Sequence, residues 1–364
     1  MFTDHNGRQF LTEISAPLPG SLCVFAVCPS MHYLLRLEGT QSNLHPRKHA
    51  NEDGAVTMKI AVPDLVSNSY FPAIAAVELG FFSDEGIDIS LEHIFPVSTC
   101  LELLRDGEID FVAGAAHAVP QVFPNWEGGK LIAALARRMY WLLVLRTDLG
   151  AERGDVDAVK GLRIGAAPLV DQGLRGLLAA AGVDVERDEV DIMPVPGAND
   201  PGVSFGLQAA RALEEGLIDG FWANALGAEC AVRSGAGTVV IDVRRGDGPE
   251  ASRHFTFPSL VTSENQIAKH PEVVGAAVRA IVKVQQALKA DVSRATEVGN
   301  KLFPGYEAEL IADVVSRDLP FYDPTITEND VACLNRFVQD LGALKGATPY
   351  DTAVAIEYAP LWTA

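Results

Sequence analysis

The stretch LVSNSYFPAIAAVELGFFSDEGIDISLE, Leu65 to Glu92, decides how the chain is read. A strand-like run, Met58 to Pro63, precedes it and ends in the polar and aromatic loop Ser67-Asn68-Ser69-Tyr70. The apolar segment Phe71–Leu79 follows and stops at Gly80, a normal end for a helix. Residues Ile87–Ile94 then alternate as a strand. Strand, loop, helix and strand in this order form one unit of an α/β sheet with parallel strands.

The unit recurs. Thr99 or Ser98 can cap a helix over Cys100–Arg105, and Asp110–Ala113 is the next strand. Further apolar strands are expected at Leu131–Ala136 and Trp141–Leu145. The composition turns polar and acidic over Thr147–Lys160, and a second set of units begins. Its strands are Leu162–Gly165, Glu189–Val195, Gly220–Ala223 and Thr238–Val243; its helices are Gly173–Ala181, Leu207–Glu215 and Gly227–Ser234. A strand at Thr256–Thr262 follows, and from Pro271 onward the chain reads as helices over 271–290, 294–302, 306–318 and 327–343.

The economical arrangement is two lobes with a cleft between them, where small ligands usually sit. The first lobe takes residues 58–145 and 256–364, including the helical tail; the second takes 146–255. Trp141–Leu145 and Thr256–Val261 are the expected crossings. Residues 1–57 contain one short apolar patch, Leu22–Val27, and no period. They read as a poorly ordered extension without a convincing signal peptide, which leaves location open.

With 364 residues, 48% hydrophobic and 21% charged, the chain can fill two cores. A net charge of -19 argues against nucleic acid or an anionic membrane as partner. No apolar run is long enough to cross a membrane. The five cysteines are widely spaced, without a disulfide or zinc pattern. No metal site or cofactor is expected, and neither a P-loop nor a strand-flanked GxGxxG occurs.

The candidate ligand contacts follow from the expected strand ends. In α/β sheets the carboxyl ends of strands and the following helix N-termini receive polar groups. Asn68, Ser69 and Tyr70 stand at the first such end; the alternative for Asn68 or Ser69 is simple capping of the next helix. Ser98 and Thr99 hold the same place at the second helix. His117, just past the strand Asp110–Ala113, can contact a ligand or act as a general acid or base. Arg137 or Arg138, in RRMYW, can pair with a carboxylate or sulfonate, and a solvated pair is the alternative; Arg138 is the stronger candidate. Trp222 and Asn224 end the strand Gly220–Ala223. Ser204, in GVSFG, formally matches a nucleophile elbow, but a Pro/Gly-rich loop precedes it, so a helix cap is expected.

Four phrases carry a family resemblance: ELGFFSDEGIDISL (78–91), LRDGEIDFVAG (104–114), VKGLRIGAAP (159–168) and ALEEGLIDGFWANALGAE (212–229). Together they resemble the nitrate/sulfonate/taurine-type solute-binding proteins of ABC importers and the thiamine-pyrimidine synthase-like proteins, over about residues 58–345. The resemblance implies a type II periplasmic-binding-protein fold, a small-molecule ligand (sulfonate, carboxylate or pyrimidine-like) and an ABC permease as partner. It also implies an alternative, a cytosolic enzyme of desulfinase, decarboxylase or pyrimidine-synthase type. Related desulfinases carry a nucleophilic cysteine in the first ligand loop, and Ser69 stands where that cysteine would lie. Ser69 and His117 are therefore the only catalytic candidates.

Overall fold

A computed structural model describes residues 57–363 except Pro201 and Ala347. The expected N-terminal extension thus lies outside the described residues, save for Thr57.

Among the described residues, ten strands form two five-stranded sheets. The first sheet has the order β2-β1-β3-β10-β4, from β1 (Met58–Val62), β2 (Ile89–His93), β3 (Phe111–Ala115), β4 (Gly129–Ala134) and β10 (Pro258–Ser263). The second has the order β7-β6-β8-β5-β9, from β5 (Leu142–Arg146), β6 (Arg163–Ala166), β7 (Asp191–Met193), β8 (Gly220–Ala223) and β9 (Gly237–Asp242). In each, four strands run in one direction, and a fifth enters antiparallel between two of them from the other half of the chain: β10 between β3 and β4, β5 between β8 and β9. Central strands such as Phe111–Ala115 are buried at every residue, which their unbroken apolar sequence requires.

The helices are α1 (Phe71–Glu78), α2 (Phe81–Asp84), α3 (Val97–Asp106) and α4 (Val119–Val122) in the first lobe, and α5 (Val170–Ala180), α6 (Phe205–Glu214) and α7 (Ala225–Arg233) in the second. The tail adds α8 (Glu264–Lys269), α9 (Pro271–Ala290), α10 (Arg294–Leu302), α11 (Gly305–Asp318), α12 (Glu328–Asp340) and α13 (Tyr350–Ala353). Helix α9 buries one continuous face, Val274 through Leu288, against the first lobe. Thr327 starts α12 with a reciprocal capping box to Asp330. Among the described residues no helix is long and apolar enough to cross a membrane.

Two sequence expectations change here. The strand expected to cross between lobes at 141–145 is wholly part of the second sheet. The passage occurs just before it, at residues 135–141, alongside the return at 253–258. The two passing segments hold each other through Leu135 N–H to the Pro258 carbonyl and Met139 N–H to the Arg253 carbonyl, at 2.8 and 2.9 Å. Moreover, Ser98 and Thr99 do not cap α3. That helix starts at Val97, three residues before the expected Cys100, with Pro96 at its cap position and both residues inside its first turn.

Helices α6 and α7 touch at glycines. A Cβ on Gly227 would stand 2.5 Å from the Gly206 carbonyl oxygen and 2.8 Å from its Cα, and a Cβ on Gly206 would strike the Asn224 amide at 2.6 Å. The backbones meet where both helices begin, beside the cleft. Gly227→Ala is expected to cost about 1–3 kcal/mol, because backbone on both sides must shift. Urea unfolding of the variant checks this, and an unchanged midpoint would remove the close contact from the account.

Candidate functional site

The cleft lies where the carboxyl ends of parallel strands from both sheets face each other, the usual ligand position in α/β folds. From the first lobe, Pro63, Asp64, Ser67, Ser69, Tyr70 and Phe95 line it. Trp141 and, from the second lobe, Ala167, Val170, Phe205, Ala223 and Asn224 complete the wall. The enclosed space is about 40 Å³, room for a few waters, so an organic ligand needs the lobes to part before they close on it. Four aromatic rings, from Tyr70, Phe95, Trp141 and Phe205, make most of the surface apolar; Phe95 and Phe205 stack across it with ring centroids 6.3 Å apart.

Among the described residues, Asp64 is the charged residue of this wall, and no Lys, Arg or His joins it. It sits two residues past β1 and is 6% exposed. One oxygen accepts from Val66 N–H at 3.2 Å and the other from Asn224 Nδ2 at 3.3 Å. The Ser204 hydroxyl, which donates to the Val66 carbonyl at 3.3 Å, also faces the carboxylate. Burial nevertheless dominates and pushes its pKa up to about 7. Sequence reasoning missed Asp64. Its position just past a strand end was the available signal, the same one that marked the loop at 67–70.

The sequence candidates separate into three groups. Ser69, Tyr70 and Asn224 are on the wall. Ser69 Oγ is buried without a partner, while its N–H donates to Ser67 Oγ at 3.1 Å. The Tyr70 hydroxyl meets that of Tyr140 at 3.1 Å. Asn224 caps α7 by accepting from Gly227 N–H at 3.0 Å, as it donates to Asp64. Trp222 stands behind the wall, fully buried, with its ring 6.2 Å from Trp141 and its indole N–H unpartnered.

Asn68 and His117 instead join the lobes. Asn68 neither lines the cavity nor caps α1, whose N-terminus has no side-chain cap. Its amide donates to Asp318 Oδ2 at 2.7 Å and accepts from Leu226 N–H at 3.1 Å. His117 is fully buried, with Nε2 2.8 Å from the Leu169 carbonyl of the second lobe and Nδ1 3.0 Å from Thr256 Oγ1. A carbonyl only accepts, so Nε2 carries the proton and Nδ1 accepts from the threonine. Both nitrogens are engaged. Burial lowers the His117 pKa to about 4 and keeps the ring neutral. Beside it, Gln121 and Gln172 exchange amide hydrogen bonds across the lobes at 2.7 and 3.1 Å.

Ser98, Thr99 and Arg138 are not brought to the cleft. The first two are half-buried on α3, and Arg138 is exposed, donating to the Arg244 carbonyl at 3.3 Å. The buried arginine of this region is Arg244, 3% exposed, its Nη1 3.1 Å from Asp318 Oδ2. Among the described residues no group of His, Cys, Asp and Glu could hold a metal.

Residues 55–300 match the NMT1-like family. The chain belongs to that family. No curated protein matches the sequence. Among solved structures, a protein of Bordetella bronchiseptica RB50 superposes with a TM-score of 0.67 at 22% identity, covering 84% of this chain and 96% of that one. The ligand-binding component of an ABC-type import system from Staphylococcus aureus, with zinc bound, gives 0.62 at 14%, covering 84% and 98%. The desulfurization enzyme DszB gives 0.57 at 16%, covering 83% and 98%. The architecture is the periplasmic-binding-protein fold expected from the sequence.

Two predictions follow from the wall and the bridge. Because the folded Asp64 pKa lies above the ordinary 3.8, the carboxyl's contribution is fully present below pH 4 and lost as pH rises through about 7. Asp64→Asn should therefore raise stability at pH 8 by on the order of 1–4 kcal/mol and flatten its pH dependence between 4 and 8. Denaturant titrations across that range read the slope, and parallel curves for both proteins would exclude a raised Asp64. Asn68→Ala strands the Leu226 N–H and takes a donor from Asp318, so a loss of about 1–3 kcal/mol is expected; unchanged stability would mean that the bridge is dispensable.

Proposed function

We propose that the protein is a solute-binding component of an ABC importer, whose lobes close on a small, partly apolar organic molecule. The observation that carries the reading is the interlobe wall itself: aromatic surfaces, hydroxyl and amide groups, and one buried carboxyl, without a paired nucleophile and base. A binding site needs only such complementarity. The fold neighbour from Staphylococcus aureus is described as the ligand-binding component of such a system, which supports the assignment and an ABC permease as partner.

Within the expected ligand classes, the wall favours the pyrimidine-like one over sulfonate or carboxylate. An anion entering here would meet Asp64 with no cation on the wall to offset it. A flat heteroaromatic ring with an amino group stacks on Tyr70, Phe95 or Trp141 and donates to Asp64 and Ser69. The catalytic alternative has the support of the DszB likeness, whose cysteine-to-serine variant is described in complex with biphenyl-2-sulfinic acid. In this chain, however, Ser69 Oγ has no base, and His117 has both nitrogens engaged.

Calorimetry with an aminopyrimidine, an alkanesulfonate and an alkanoate of matched size tests the reading. Binding is expected for the aminopyrimidine alone, weakened at least about tenfold in Asp64→Asn, the loss of one hydrogen bond to a charged group. Tighter binding of the sulfonate would overturn the ligand class; chemical conversion of any of the three would overturn the receptor.

A further inference from the structure

We propose that Asp64 guards the cleft against closing empty: its ionised carboxylate disfavours the closed form unless a bound molecule supplies it with a donor. The inference rests on the two-lobed binding reading above and concerns how that site is regulated. Asp64 stands on the loop after β1, and the groups that enclose it come from the other lobe. Asn224 Nδ2, at the start of α7, donates to its Oδ2 at 3.3 Å. The Ser204 hydroxyl, just before α6, donates to the Val66 carbonyl at 3.3 Å, and the Leu226 N–H of α7 donates to Asn68 Oδ1 at 3.1 Å. These three hydrogen bonds fasten the loop at 64–68 to the starts of α6 and α7. Each crosses the cleft, so parting the lobes breaks all three and returns the carboxylate to water.

In the closed form Asp64 is 6% exposed, and among the described residues no Lys, Arg or His stands on its wall. Its donors at 3.2 and 3.3 Å are long for bonds to a charged oxygen. The starts of α6 and α7 face it and favour its charge, yet burial outweighs them. A carboxylate so enclosed is costly unless it takes a proton or another donor. It has about four acceptor positions, so lone pairs remain for the amino group of a ligand in the cavity. Empty closure near neutral pH therefore requires a proton, whereas closure around such a ligand does not.

The surrounding groups leave a pH window in which Asp64 acts by itself. From the elements packed around the cavity come Phe95, Trp141, Val170, Phe205 and Asn224, none of them titratable. Tyr70, on the loop of Asp64 itself, is kept protonated far above neutral pH by burial. His117, on the other seam, works in the opposite sense. Burial lowers its pKa to about 4 against the ordinary 6.5, so it opposes closure only as pH falls below 6.5. Above 6.5 its ring is neutral whether the lobes are open or closed. The closed-form pKa of Asp64, about 7, lies above the ordinary 3.8, so its protonation favours closure at low pH, and that contribution is lost as pH rises through 7. The arginine–carboxylate pairs of the charged seam are unchanged by a substitution at Asp64 and cancel in the comparison.

Single-molecule energy transfer between dyes at Ser83 and Glu186, exposed positions on the two lobes, reads the closed-to-open ratio of the empty protein. Raising the pH from 6.5 to 8.5 is expected to lower that ratio about fourfold, the linkage for a group at about 7 in the closed form and 3.8 in the open one. In Asp64→Asn the ratio should change less than about twofold and should exceed that of the wild type at pH 8.5. Asp64→Ala, which also removes the charge, repeats the comparison should the asparagine variant fail to fold. A saturating aminopyrimidine should close the wild type at both pH values. A ratio that does not move with pH, including a protein wholly open or wholly closed throughout, or one that moves equally in Asp64→Asn, would overturn the guard, even where the aminopyrimidine closes the lobes and the receptor reading stands. The expected pH response without closure by the aminopyrimidine would sustain the guard and remove the ligand class instead.

Discussion

The structure depends on one buried carboxylate, Asp318, at the last turn of α11. It is 1% exposed and receives Asn68 from the loop after β1, and Arg244 and Arg245 from the second lobe. Removing one partner of such a buried pair costs about 3–5 kcal/mol, because the remaining charge stays out of water. The helical tail therefore does more than cover the first sheet. It supplies the anchor that fixes the loop at 67–70 and ties the lobe carrying β9 to the lobe carrying β1. On the surface beside it, Arg317 pairs with Glu229 at 2.6 Å and Arg233 with Asp313 at 3.2 Å, extending the same seam with weaker, screened contacts.

A second seam, on the other side of the cleft, is uncharged. His117 reaches the Leu169 carbonyl, Gln121 and Gln172 exchange amides, and Phe255 stacks on Phe337 with centroids 4.5 Å apart. Leu169 has φ 66°, an uncommon conformation for a residue other than glycine, and the His117 contact helps to hold it. The two seams respond differently to conditions. Salt weakens the exposed part of the charged one, whereas the neutral one loses its His117 contribution progressively as pH falls from the ordinary 6.5 through about 4.

The alternation of strand and helix was legible from residue order because each strand is a short apolar run with a turn signal behind it. All ten observed strands coincide with expected ones, apart from their ends. Which sheet a strand joins is not written in its own residues. Trp141–Leu145 is apolar on both faces, and only its pairing with Phe221 and Val239 places it in the second sheet. The site was legible where chemistry is local: Ser69, Tyr70 and Asn224 sit at strand ends and line the cleft. It was not legible where partners are distant. Asn68 meets Asp318, 250 positions away, and nothing local in the sequence marks Arg244 as that carboxylate's other partner. Arg138, beside two aromatic residues, looked better suited to a ligand but is exposed.

What separates a receptor from an enzyme on this fold is whether the groups at the wall are free to exchange protons. Asp64 has the pKa of a working acid or base, yet its oxygens are held by Val66 N–H and Asn224, which position it as an acceptor. Ser69 is free but has no activating neighbour, since the neutral ring of His117 spends both nitrogens on lobe contact. A serine hydroxyl without a base is a weak nucleophile and a good hydrogen-bond partner. A raised carboxyl in such a wall strengthens selection instead. In its ionised form it accepts from a neutral donor and repels a second negative charge placed beside it.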